Sequence, residues 1–200
     1  MSNNQSVTAD IWINEKQSLT KFFKEVLEMD IDTNIDIPEA PEDFVGLLYI
    51  PQIKGDVAIK AYKKFFGENS VYDNNYSKNI DAMIKQQQSR PDTPYFIRHR
   101  NGLEPDKIHL SKSYNDFCES GNNYMIPLEG ILFALYYRWT TGDMIDVKGI
   151  TIFHALDTDG CVLIMYRNDA SQFGLDWGVY VSRYSNRGPR QVYLKESLPK

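Results

Sequence analysis

FHALDTDGCVLIMY, residues 153–166, decides how the second half of this chain folds. Two apolar runs flank Asp159-Gly160, and Asp-Gly between apolar runs is a strong hairpin signal. The hairpin joins KGITIFHAL (148–156) to CVLIMYRN (161–168), and DWGVYVSRY (176–184) and QVYLK (191–195) add a third and a short fourth strand. Strands linked by short turns are antiparallel, so the C-terminal part reads as a β-meander.

The same stretch holds His154, Asp157, Asp159 and Cys161, the residue types of a thiol nucleophile and its base. Two registers are open. A two-residue Asp159-Gly160 turn puts His154 opposite Met165, on the face of Cys161 but roughly 13 Å along the sheet at ~3.3 Å per residue. A three-residue turn with Gly160 as a bulge puts Asp157 opposite Cys161, with His154 and Cys161 on opposite faces. Neither gives the ~3 Å contact that an activated thiol needs from its base. The stretch reads as a buried hairpin, apolar on both faces.

Upstream the periodicity changes. Leu19, Phe22, Phe23, Val26 and Leu27 recur at helical spacing behind Ser18, a fair N-cap. Residues 30–44 are acidic and carry two prolines, so they form a loop before an apolar strand, 44–50. Asp56 caps a helix ending at Gly67, and residues 79–88 form a weaker helix. PYFIRHR (94–100) alternates as a strand, with Tyr95, Ile97 and His99 on one face and Phe96, Arg98 and Arg100 on the other. A short helix follows Ser111 or Ser113. The longest helical pattern runs from Pro127 to Gly142, with Leu128, Ile131, Leu132, Leu135, Tyr136 and Trp139 among its apolar positions. The expected class is α+β: a helical first two-thirds packed on an antiparallel sheet that ends in the meander and that strands 44–50 and 94–100 join. Residues 1–10 read as a disordered N-terminal tail and 11–200 as a single domain.

Composition excludes some function classes. The 200 residues are 42% hydrophobic and 24% charged, ordinary for a globular chain. No run of about 18 apolar residues is present, so no spanning helix is expected. Two cysteines, Cys118 and Cys161, form neither a disulfide framework nor a metal cluster, and the N-terminus lacks the layout of a signal peptide. A reducing, cytoplasmic setting is the expectation. The net charge of −5 lies in the first half: residues 1–94 hold 10 Lys+Arg against 15 Asp+Glu. That acidity argues against nonspecific nucleic-acid binding. Glycine-rich phosphate loops, HExxH, CxxC and GxSxG are absent, and no cofactor or metal is implied. His109-Leu-Ser111 has the H-x-S spacing of two-histidine phosphoesterases, but His154 is followed by Ala-Leu, so the second copy is missing.

Two sets of polar residues remain. Glu104, Asp106 and Glu129, with His99, would make a hydrolase or a metal-assisted enzyme if they converged. Otherwise they serve as helix caps and turn residues. Arg98, Arg100, Arg183, Arg187 and Arg190, with Trp177, Tyr180 and Tyr184, would make a surface for a protein partner or a small anionic ligand. Otherwise the arginines form a solvated face paired with local acids.

Arg98, Arg100, Glu104-Pro-Asp106, Ser113, Leu128-Glu129, Thr141-Gly142, Asp146, Thr151, Asp159-Gly160 and Arg187/Arg190, preceded by IPEAPEDFVGLLYIP (37–51), resemble a family of uncharacterised bacterial proteins. The similarity spans roughly residues 20–194. Phe153 departs from a cysteine of that pattern. The resemblance implies one cooperative domain and supplies no reaction. The leading expectation is therefore a binding module using the C-terminal Arg/aromatic surface. The carboxylate enzyme and an acidic antagonist or immunity-type protein covering a basic partner are the alternatives.

Overall fold

The computed structural model describes residues 4–72, 80–179 and 181–195, with the side chains of 4–11 outside the description. Helix α1 (Asn4–Val26) takes up most of the stretch read as a tail, so Ser18 lies mid-helix and not at its start. Its apolar face, Leu19, Phe22, Phe23 and Val26, is buried as the spacing predicts. Strand β1 (Gly46–Ile50) is buried along its whole length. Helix α2 (Gly55–Phe66) and the single turn α3 (Ile80–Met83) cap each other. Asp81 accepts from the Gly55 and Asp56 amides at 3.1 and 3.2 Å, and Asp56 accepts from the Ile80 amide at 3.2 Å. The Asp56 side chain thus caps α3, not its own helix. Gln86–Gln87, expected as helix, form a short strand β2.

β3 (Tyr95–His99) pairs antiparallel with β1, placing His99 opposite Gly46. α4 (Tyr114–Cys118) starts at a Ser113–Asp116 capping box. α5 (Pro127–Thr141) begins at the proline and ends at Gly142, as the sequence indicates. β4 (Ile150–Leu156), β5 (Val162–Arg167) and β6 (Phe173–Gly178) form the antiparallel meander. β7 (Arg187–Gly188) runs parallel to β4, and β8 is Val192–Leu194.

The fold is α+β, but the strands divide between two sheets. β1, β3 and β8 form one; β2, β4, β5 and β6, with β7 beside β4, form the other. The single sheet expected from the sequence is corrected here: β8 leaves the meander and pairs with β3, with His99 opposite Val192. The meander's third strand also starts earlier than expected, and Val179 and residues 181–184 lie outside it.

The hairpin at 153–166 adopts the bulged turn. Leu156 pairs with Val162, and the Asp157 amide donates to the Cys161 carbonyl at 3.0 Å. Gly160 takes a left-handed φ of 75°, which that turn requires. The register then shifts between Ile152 and Leu156, so β4 bulges at Phe153–Ala155. Both hairpin faces are covered. Phe153, Ala155, Leu163 and Met165 join the main core with α1, α2, α5, β1 and β3. Ile152, Val162 and Ile164 pack on the other side against Tyr114, Phe117 and Tyr124.

Candidate functional site

The carboxylates do not converge. Glu104 accepts from the Lys148 and Gly149 amides at 3.0 and 2.6 Å, tying down the loop before β4. Asp106 accepts from the Gln191 amide at 2.7 Å and from Arg100 Nη1 at 3.1 Å. Glu129, fully buried, accepts from the Ile126 amide at 2.9 Å, from Tyr95 Oη at 2.8 Å and from Arg90 Nε at 2.6 Å. Glu104 and Asp106 line one pocket, but Glu129 is buried elsewhere with Arg90 and Tyr95, so the three do not form one acid–base site. No group of three or more His, Cys, Asp or Glu among the described residues is placed to hold a metal ion.

The arginines do not form one surface either. Arg190 is an interior residue, 2% exposed. Its guanidinium meets Thr151 Oγ1 at 2.9 Å, the Gly102 carbonyl at 2.7 Å, the Leu103 carbonyl at 3.1 Å and Asp146 Oδ1 at 2.6 Å. Arg98 donates to the Phe44 carbonyl and lies over the Trp12 ring at 4.6 Å. Arg100 pairs with Asp43 and covers the Phe44 ring at 3.9 Å. Arg183 is held by Asp116, and Arg187 stacks on Tyr184, their separation being 4.1 Å. Trp177 packs against the main core. Tyr180 lies outside the described residues. Five guanidiniums that look like a cluster in sequence are thus spread over two sheets and the interior.

Of the residues singled out from sequence, Arg100, Glu104 and Asp106 line one cleft, and His99 lines another of similar volume. The His99 cleft measures about 380 Å³ and lies between α1, α5 and the first sheet. Its α5 wall comes from Phe133, Tyr136 and Tyr137, one face of that helix at i, i+3 and i+4. Glu15 and Ser18 come from α1, and Gly46 and His99 from the paired ends of β1 and β3.

His99 is held from three sides. A Cβ on Gly46 would stand 2.2 Å from its Cε1, so the imidazole occupies space that only glycine leaves open. Its ring meets the Phe133 ring edge-on at 4.7 Å. Nδ1 lies 3.2 Å from the Arg100 carbonyl oxygen, which can only accept, so Nδ1 carries the proton. Burial pulls the imidazole pKa down to about 4, so the ring is neutral at pH 7. Nε2 is then a lone-pair acceptor; this buried atom meets no hydrogen-bond donor among the described residues, although the Leu47 backbone also acts on the ring and raises its pKa.

Opposite, Tyr136 Oη donates to Ser18 Oγ at 2.8 Å, with Glu15 Oε2 a longer alternative acceptor at 3.4 Å. Burial raises the Glu15 carboxyl, and the tyrosine hydrogen bond offsets part of that rise. Burial likewise pushes the Tyr136 hydroxyl up to about 12, so it stays protonated. Glu15 has no ion-pair partner among the described residues. Neighbouring Lys16 turns away, to the Thr33 and Ile35 carbonyls. The cleft therefore presents acceptors and aromatic faces, and no lysine or arginine among the described residues lines it.

A cysteine–histidine contact does exist, with a different cysteine. Cys118 Sγ lies 3.2 Å from His154 Nε2, because the β4 bulge turns His154 toward α4. Burial raises the thiol pKa and lowers that of the imidazole, so both are neutral. His154 Nδ1 has no partner among the described residues to orient it as a base. Tyr114 and Phe117 pack edge-on against the ring, which makes this a packing contact.

Comparison with protein-family models, with curated proteins and with solved structures gives no match. No described helix is long and apolar enough to cross a membrane.

Proposed function

We propose that this protein is a binding module and that its recognition site is the α1–α5 cleft, not the C-terminal arginine surface. One observation carries this reading: His99 Nε2 is an acceptor, buried and without a hydrogen-bond donor among the described residues, on a ring that the fold fixes in place. Burying an unpaired acceptor costs about 1–3 kcal/mol, a cost offset when a ligand donates to it. The cleft volume lies within the range of small-molecule sites, and aromatic walls with a few polar groups are usual in them. The free thiols Cys118 and Cys161 fit a cytoplasmic protein.

A fragment screen by ligand-observed NMR tests the reading. Hits should perturb the Gly46, Ser18 and Tyr136 amides and disappear in Thr141→Trp, which fills the cleft mouth. Hits that map instead to Arg183, Tyr184 and Arg187 would restore the arginine surface as the binding site.

A further inference from the structure

Resting on that reading of the cleft, we infer that its ligand carries a cationic head, a primary ammonium or a guanidinium, with Glu15 as counter-ion and His99 as a neutral acceptor. Three observations carry this. Glu15 stands half-buried on the wall, with the Tyr136 hydroxyl as its one recorded hydrogen-bond partner and no ion pair to a cation among the described residues. Carboxylates in that setting favour an incoming positive group, because the desolvation they have already undergone is offset by the new pair. His99 Nε2 accepts a proton donor and offers nothing to an anion. Phe133, Tyr136 and Tyr137 supply ring faces, whose negative quadrupoles attract cations and add affinity once water is excluded.

The other elements around the cleft agree with this selectivity. Arg98 and Arg100 share the opposite face of β3 and are occupied by Phe44 and Asp43, so neither reaches in as an anion partner. Arg190, the cation nearest His99 in electrostatic effect, is neutralised by Asp146. The excess negative charge of residues 1–94 adds a long-range attraction for cations at low salt. An ammonium or guanidinium can come from a free amine or from the Lys or Arg side chain of a partner, and the cleft chemistry is the same for both.

The test uses the full chain and four small probes: methylguanidinium, n-butylammonium, the neutral isostere N-methylurea, and butyrate. The cationic probes should shift the Gly46, Ser18 and Tyr136 amides, and methylurea and butyrate should not. Glu15→Gln should weaken cation binding about tenfold or more, the usual range for a charge-assisted hydrogen bond. Glu15→Asp, which withdraws the charge by one methylene, should weaken it by less. A second arm compares free methylguanidinium with the peptide acetyl-Gly-Arg-Gly-amide: tighter peptide binding assigns the head to a partner side chain, and equal or weaker binding assigns it to a free amine. Equal shifts from methylurea or butyrate, unaffected by Glu15→Gln, would overturn the cationic head and leave the cleft as a binding site. No shift at these amides from any probe would overturn both.

Discussion

Gly46 and His99 face each other across β1 and β3, and the imidazole fills the volume where a Cβ of residue 46 would stand. Gly46→Ala should therefore destabilise the protein by about 1–3 kcal/mol, the usual cost of overpacking. Combining it with His99→Ala should recover much of that loss, because the clash is with the ring. Chemical denaturation of both single variants and the double variant measures the coupling; additive losses would separate the two residues.

His99 also sets a pH dependence. Its folded pKa, about 4, lies below the ordinary 6.5, chiefly through burial and secondarily through Arg190. Between those values the unfolded chain binds a proton that the folded chain does not. The stability contribution is complete above pH 6.5 and is lost as pH falls toward 4, by up to about 3 kcal/mol. Urea unfolding at pH 7 and pH 4.5 should show a larger acid loss in the wild type than in His99→Gln. His109 and His154 are also lowered by burial and shift the same way, so the difference between the two proteins is the measurement.

The two kinds of arginine should respond in opposite ways. Arg190→Met leaves Asp146 buried and uncompensated, which should cost about 3–5 kcal/mol. Arg183→Met removes an exposed pair with Asp116 and should leave the melting temperature nearly unchanged. Thermal unfolding distinguishes them; equal losses would mean that Arg183 is as structural as Arg190.

Cys118 should behave as an ordinary, somewhat protected thiol despite its histidine neighbour. Its alkylation by iodoacetamide should rise steadily with pH up to and beyond pH 9, because burial raises its pKa. A rate plateau near pH 6, the mark of a thiolate–imidazolium pair, would reverse this assignment. Mass spectrometry of the Cys118 peptide gives the rate without interference from Cys161.

Local signals are legible in this sequence and distant ones are not. Asp159-Gly160 specifies the hairpin turn, and Pro127 and Gly142 specify the ends of α5, because these residues act through their own backbone geometry. The partner of β8 was not legible. Three residues of strand pattern say nothing about which of two sheets will receive them. The carboxylates misled because Glu104, Asp106 and Glu129 accept from backbone amides, groups that every sequence contains and none displays. The sequence marks His99 but does not join Glu15, Ser18 and Tyr136 to it, since the cleft gathers residues from α1, β3 and α5. Two adjacent tyrosines, Tyr136 and Tyr137, following the apolar run Ile131–Leu135 are the available signal. The contact of Cys118 with His154 depended on a bulge whose place the strand alternation does not reveal.

The seating of β8 beside β3 has a consequence for biosynthesis. On the ribosome, β1 and β3 leave the exit tunnel well before Val192–Leu194 is translated. Through that interval β3 has β1 on one side and an open edge on the other, a natural target for chaperones and for aggregation. Arg190 and Gln191, just ahead of β8, are also what Asp146 and Asp106 await. A ribosome stalled before codon 190 would display a nascent chain with Asp146 unmatched, Asp106 lacking its Gln191 amide and β3 unpaired on one side, so proteolysis of such arrested chains should be far faster than of the released protein.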